Sequence, residues 1–181
     1  KRQGEKMEWA KPLEATAETI LARRGTPVAV LASGDPFWFG AGATLARSIP
    51  VEDMLVVPSP SSFSIAASRL GWPLQDVTTL GLNMKGLTPL IRRHLHHGGR
   101  ILALALNGDT AREVATLLTG AGFAESTIIV MEALGGPRER IRRVRARDFD
   151  FVEVDPLNII GVEVVASQDA APIPYAAGLP D

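Results

Sequence analysis

The chain of 181 residues is 46% hydrophobic, enough for one large domain or two small ones with buried cores. Its 19 basic and 20 acidic residues leave a formal net charge of -1, which excludes a global field for a nucleic-acid or membrane partner and places specificity in a local site. Cysteine is absent, excluding disulfides and thiolate chemistry; with no apolar run near the ~18 residues of a membrane span and no signal-peptide core in "KRQGEKMEW", the sequence predicts a soluble, cytoplasmic protein.

Residues 13–24, "LEATAETILARR", set Leu13, Ala17, Ile20 and Leu21 on one helical face, with Gly25 placed to end the helix. "VAVLAS", from Val28, is an apolar run of the kind buried between helices; it feeds the loop "SGDPFWFG" and a short helix "AGATLARSI". "MLVVP" is the next predicted strand, followed by "SPSS" and the helix "FSIAASRL", which Gly71 terminates. A helix near "LTPLIRRHLHH", a strand "ILALAL" at residues 101–106, a helix "TAREVATLLTG" and a strand "TIIVMEAL" continue the alternation. Repeated strand-loop-helix units predict an α/β protein with a largely parallel sheet in its first half and ligands at the carboxyl ends of strands. Beyond Gly136, "RERIRRVRARDFD" alternates weakly and "DPLNIIGVEVV" adds a strand with no helix after it. The predicted division is therefore a first α/β lobe over residues 1–107, a smaller, more antiparallel lobe over 108–166, and a Pro- and Gly-rich linker or tail over 167–181.

Four loops follow predicted strands: "SGDPFWFG", "PSPSSFS", "LNGD" and "ALGGP". Small residues admit a ligand close to backbone, hydroxyls suit a polar rim, and apolar side chains suit a flat base, so the set reads as a nucleoside site. None is a Walker loop or a Gly-x-Gly-x-x-Gly turn, so a phosphate-anchored nucleotide is not indicated.

Plainer uses exist for the same residues. Asp35 suits an Asx turn or a helix cap, Phe37, Trp38 and Phe39 suit core or interface packing, and one of Ser59, Ser61 and Ser62 suits the N-cap of "FSIAASRL". His94, His96 and His97 sit at a helix end, where cations favour the dipole, and lack carboxylates at ligand spacing, so no metal is expected. Arg138, Arg140, Arg142, Arg143, Arg145 and Arg147 read as a solvated face or as forks for the carboxylates of a polyacidic ligand. The sequence holds no Ser-His-Asp or paired-carboxylate arrangement. The catalytic residue stays unassigned; Asp109 and Glu132 are the acidic residues nearest the loop mouths if a proton must leave.

In order, "GDPFWFG", "VPSPSSFSIAASRLGW", "EALGGPRERI" and "DPLNIIGVEV" resemble the tetrapyrrole (corrin/porphyrin) methylase superfamily, the class III S-adenosylmethionine-dependent methyltransferases, and within it the precorrin-6Y methylases. The likeness runs over residues 13–165. It implies the class III methyltransferase fold, a mostly parallel lobe followed by a smaller mixed-sheet lobe with the ligand cleft between them. It further implies S-adenosyl-L-methionine as methyl donor and a precorrin substrate in cobalamin (vitamin B12) biosynthesis. Methylation would fall on carbon 5 of precorrin-6B, with carbon-15 methylation and decarboxylation in a second methyltransferase domain fused after the tail. A homo-oligomer with no metal, nucleic-acid or membrane partner is implied as well.

Carried over residue by residue, the resemblance has Ser33, Gly34 and Asp35 offering main-chain contacts to the methionine end of the donor, with Trp38 packing against it. Ser61 and Ser62 would border the donor, Leu106 stands where the family often has methionine, and Leu134 and Leu157 would flank the adenine with their backbones. Family members begin with a strand and glycine-rich loop lining the cleft, and this chain starts beyond them. Two other readings remain. An RNA or diphthamide-pathway methylase of the same superfamily fits poorly with near-neutral charge and "LGGPRER"; a module that binds a tetrapyrrole or the donor without chemistry differs only in activity.

Overall fold

The computed structural model describes residues 4–11, 14–82, 87–168 and 170. Contacts divide the chain into two compact units, Lys1–Ser61 and Ser62–Asp181. The boundary expected between residues 107 and 108 thus falls inside the second unit. Of the tail expected over residues 167–181, residue 169 and residues 171–181 lie outside the described residues.

In the first unit, helices α1 (Glu14–Leu21) and α2 (Ala41–Leu45) enclose a small core. Ala17, Leu45 and Ile49 are buried there, with Ile20, Leu21 and Met54 packed against them. Three of the four residues on the predicted helical face therefore do meet apolar partners; Leu13 lies outside the described residues. An ion pair between Arg24 and Asp53 ties the chain after α1 to a 3-10 turn at Val51–Asp53. Residues 28–32 and 54–58, expected as buried strands, pair with no strand among the described residues, and Leu31 and Leu55 are 85% and 94% exposed. An apolar run records only that its side chains favour burial. A strand also needs neighbouring strands for its N–H and C=O groups, and these segments pair with none among the described residues.

The second unit is built on one five-stranded sheet: β1 (Thr78–Gly81), β2 (Arg100–Leu104), β3 (Thr127–Glu132), β4 (Arg140–Arg145) and β5 (Asn158–Glu163), in the order β1-β2-β5-β3-β4. β1 runs parallel to β2, while β5 is antiparallel to β2 and β3, and β4 is antiparallel to β3. The sheet is mixed, with helices α3 (Ser62–Leu70), α4 (Leu87–Arg92) and α5 (Thr110–Gly120) packed on it. Period-two alternation separates two cores. Ile101, Ala103, Ile128, Val130, Ile160 and Val162 join Ile91, Val114 and Leu118 from the helices. The intervening Leu102, Ile129, Met131 and Ile159 join Phe63, Ala66 and Ala67 of α3.

This strand order brings the predicted site segments of the unit to one edge. β2 and β3 end where antiparallel β5 begins, with Leu104 opposite Ile159 and Glu132 opposite Asn158. The loops that carry Leu106, Leu134 and Leu157 therefore leave the sheet side by side.

Candidate functional site

The loop after Ala32 is shaped by backbone chemistry. Asp35 Oδ1 accepts hydrogen bonds from the N–H groups of Phe37 (2.8 Å) and Trp38 (3.1 Å), so its side chain builds the turn, as an Asx turn requires. The Pro36 carbonyl accepts from Ala43 N–H at 3.1 Å, drawing the start of α2 against the turn. A Cβ on Gly42 would stand 2.7 Å from the Pro36 oxygen, and one on Gly40 would collide with the Asp35 and Pro36 backbone. Close approach accounts for both glycines.

Gly34 has φ +72°, and its missing Cβ would lie 3.9 Å from Pro60 O and Ser61 Cα. Two stretches far apart in sequence, Ser33 to Asp35 and Pro60 to Ser61, thus meet here, with Ser61 buried. An open concavity of ≈330 Å³ adjoins them, lined by Trp9, Leu31, Ala32, Ser33, Phe39, Gly40 and Ala41. The aromatic walls are Trp9 and Phe39; Trp38 is exposed and does not line this concavity. Trp9 was not legible as a site residue, because "MEWAK" carries no motif.

In the second unit, Ser62 is exposed as the first residue of α3, and three strand-end loops interlock. Asn107 Oδ1 accepts from the N–H groups of Asp109 (2.9 Å) and Thr110 (3.1 Å), while Thr110 Oγ1 accepts from those of Leu106 and Asn107 (both 3.2 Å). This reciprocal cap starts α5 and uses the Leu106 N–H. Leu157 N–H donates to Asp155 Oδ1 (2.9 Å), and Leu157 C=O accepts from Ala133 N–H (2.9 Å). Both backbone groups of Leu157 are thus engaged; Leu106 and Leu157 are 61% and 69% exposed, and their apolar side chains suit the face of a planar ring better than its edge. Leu134 is half-buried against the α3 core.

Ala133, at φ +45°, holds a left-handed conformation at the mouth of this edge. Valine there would place a branched Cβ where even alanine is strained. Ala133→Val is expected to cost about 2 kcal/mol or more, while Ala133→Gly stays within about 1 kcal/mol of wild type. Urea midpoints of the two variants check this; equal losses would mean that side-chain volume, not φ, sets the cost.

Glu132 lies beneath these loops with its side chain 1% exposed. It accepts from Arg140 Nε (2.8 Å) and Nη2 (2.6 Å), from Arg142 Nε (3.1 Å) and Nη2 (3.2 Å), and from Asp155 N–H (2.9 Å). Burial alone would push its pKa up. Hydrogen bonds from Arg140, Asp155 and Arg142, with the Arg142 charge, override that and hold it below the ordinary carboxylate range. Glu132 is thus a fixed anion occupied within the fold, unsuited to accepting a proton from substrate. Asp155 is also held low, chiefly by the Leu157 N–H, and pairs with Arg138.

Carboxylates of the chain occupy most of the arginines: Arg138 on Asp155, Arg140 and Arg142 on Glu132, and Arg145 and Arg147 on Glu125. Of the six, Arg143 alone has no ion pair among the described residues, and it is exposed. His97 Nδ1 accepts from Ala166 N–H at 3.4 Å. No group of three or more His, Asp or Glu among the described residues is placed to hold a metal ion, and none of their helices is long and apolar enough to cross a membrane.

Known proteins share this architecture. The family model "Tetrapyrrole (Corrin/Porphyrin) Methylases" matches residues 2–150. A precorrin-6Y C(5,15)-methyltransferase [decarboxylating] from Sinorhizobium sp is 48% identical over 178 residues, 98% of this chain, and this chain spans 43% of that relative's length. A cobalt-precorrin-7 C(5)-methyltransferase from Salmonella typhimurium is 26% identical over 139 residues, covering 76% of this chain and 67% of that protein. Among solved structures, the uroporphyrin-III C-methyltransferase of Thermus thermophilus complexed with S-adenyl homocysteine superposes with a TM-score of 0.67 at 24% identity, covering 88% of this chain and 76% of that one. The expected α/β class III methyltransferase fold holds. On the strength of the family model, which spans most of its length, the chain belongs to the tetrapyrrole (corrin/porphyrin) methylase family.

Proposed function

We propose that this chain is the methyl-donor domain of an S-adenosylmethionine-dependent precorrin methyltransferase in cobalamin biosynthesis, and that it methylates carbon 5 of precorrin-6B. The observation that carries the reading is the 48% identity, over nearly the whole chain, to part of a precorrin-6Y C(5,15)-methyltransferase. The further likeness to a protein named as a cobalt-precorrin-7 C(5)-methyltransferase favours carbon 5. Carbon-15 methylation and decarboxylation then belong to a second domain after Asp181, in keeping with the 43% of the relative that this chain spans.

The residues fit such a donor. Within the first unit Gly34 keeps a backbone cradle free of side chain beside Ser61; within the second, taken by itself, Leu106 and Leu157 present exposed apolar faces. The donor brings an already activated methyl group, so the chain chiefly has to hold a nucleophilic carbon in line at about 3–3.5 Å and keep water out. Arg143, exposed and with no ion pair among the described residues, is suited to a carboxylate arm of the macrocycle.

The full chain titrated with S-adenosylhomocysteine should show binding in the micromolar range, about 8 kcal/mol, without added metal. Supplied with S-adenosylmethionine and precorrin-6B, it should add one methyl group and release no carbon dioxide. Two added methyls, or carbon dioxide from this chain alone, would overturn the division of labour. Binding of donor and macrocycle with no mass change would favour a binding module.

A further inference from the structure

We infer that Asn158 is the positioning residue of the donor site, locking the loop after β2 and the segment before β5 into one register, with the buried Glu132 as its support. The inference rests on the methyl-donor reading above.

The geometry is specific. Asn158 Nδ2 spends both of its hydrogens, one on Asn107 O (3.1 Å) and one on Asp155 O (2.8 Å). Turning the amide over would face its oxygen against two carbonyl oxygens, so the orientation is determined by its neighbours. The Asn158 C=O accepts from Ala105 N–H (3.3 Å), which joins the residue to the end of β2 a second time. Asn158 pairs across the sheet with Glu132, whose carboxylate accepts from Asp155 N–H. Gly108 completes the junction: its missing Cβ would collide with the Val154 carbonyl, so the loop after β2 and the segment before β5 meet backbone to backbone. One side chain, anchored by a second, thereby sets where Leu106 and Leu157 stand relative to each other.

The arrangement serves placement more than stability. Asn158 is buried, yet its Oδ1 accepts from no described residue. A buried amide with an unsatisfied acceptor gains less for the fold than its two donated bonds suggest. Local rules broken in this way concentrate at functional sites.

The test separates affinity from stability. S-adenosylhomocysteine is titrated by calorimetry into the full chain, into Asn158→Ala, into Glu132→Gln, and into Ile128→Val as a control in the core on the same face of the sheet. Each titration is run at a temperature where circular dichroism shows the variant fully folded. Asn158→Ala is expected to weaken binding at least tenfold, about 1.4 kcal/mol. Glu132→Gln, which keeps the side chain's shape and serves if Asn158→Ala does not fold, should weaken it in the same direction. Ile128→Val should lower the melting temperature and leave affinity unchanged. Wild-type affinity in the folded Asn158 or Glu132 variants overturns the inference, as does an equal loss in Ile128→Val, which would make the effect one of general stability. If wild type itself does not bind the nucleoside, the methyl-donor reading falls instead, a result distinct from either of these.

Discussion

Removing Arg140 and Arg142 together, as a double alanine variant, is expected to destabilise the second unit by about 3–5 kcal/mol, the range for an ion pair broken so that a buried charge is left alone. Glu132 would keep only the Asp155 N–H as a donor. The double variant also loses the stacking of Arg142 over Phe151 (4.2 Å) and the bonds that both guanidiniums donate to Glu153 O (3.2 and 2.6 Å). Glu132→Gln should cost much less, about 1–2 kcal/mol, because the arginine side chains left behind are 52% and 23% exposed and can turn to water.

The pH dependence has opposite signs in the two backgrounds. In wild type the folded pKa of Glu132 lies below its usual 4.5, so its contribution is fully present above that value and is lost as pH falls through the lower folded value. In the double variant, burial without arginine raises the folded pKa above the unfolded one. Its deficit should therefore shrink on acidification from neutral pH. Urea unfolding at pH 7 and pH 5 measures both effects. A Glu132→Gln loss equal to that of the double variant, or a deficit that does not change with pH, would show that packing rather than charge carries the cluster.

Gly40→Ala is the second large effect expected. Its Cβ would meet the Asp35 carbonyl oxygen and the Pro36 carbonyl group, all backbone atoms with no soft side chain to yield. Overpacking of this kind costs typically about 1–3 kcal/mol in a well-built core. Here it falls on a unit whose buried apolar residues, among those described, are Ala17, Leu45 and Ile49, so the turn should open rather than adjust. Gly34→Ala is a contrasting case: space is available, and only φ +72° is costly, about 1–2 kcal/mol. Trp9 and Trp38 report on the first unit and Trp72 on the second. Fluorescence and limited proteolysis should show Gly40→Ala opening residues 33–43 while Trp72 stays buried. Wild-type emission and protease resistance would mean that the turn relaxes cheaply.

What the sequence revealed depended on how local each cause is. α5 matches "TAREVATLLTG" because its apolar spacing and the Asn107 and Thr110 cap are all local. β2, β3 and β5 emerged from apolar runs that really are buried on both faces. β4 registered only as weak alternation, because Arg140 and Arg142 sit where an apolar pattern would put Val or Ile; they are arginine for the sake of Glu132. β1, "TTLG", escaped notice as four half-buried residues with no apolar signal. Residues 28–32 show the converse error, hydrophobicity without a pairing partner.

The site divides in the same way. Gly34, Asp35 and the serines were visible through turn chemistry. Trp9, Glu132 and Asn158 take their roles from long-range partners: Asn158 reaches Asn107 across 51 positions, and Asp155 reaches Glu132 across 23. No window along the chain contains either pair.

The strand order also bears on how the protein is made. β5 lies in the middle of the sheet, yet of the sheet's five strands it is the last to leave the ribosome. Until it arrives, β2 and β3 each present an edge with no neighbour, and the β3-β4 hairpin has nothing to dock on. At roughly 5–20 residues per second, the interval between completing β2 and completing β5 is several seconds. Once β3 is made, the nascent chain carries two open strand edges, one on β2 and one on β3, whose central residues Ile128 to Met131 are wholly buried in the finished fold. The sheet of the second unit is therefore complete only when a six-residue strand takes its place between two made earlier, and a chaperone that shields nascent strands has its natural window before residue 163 emerges.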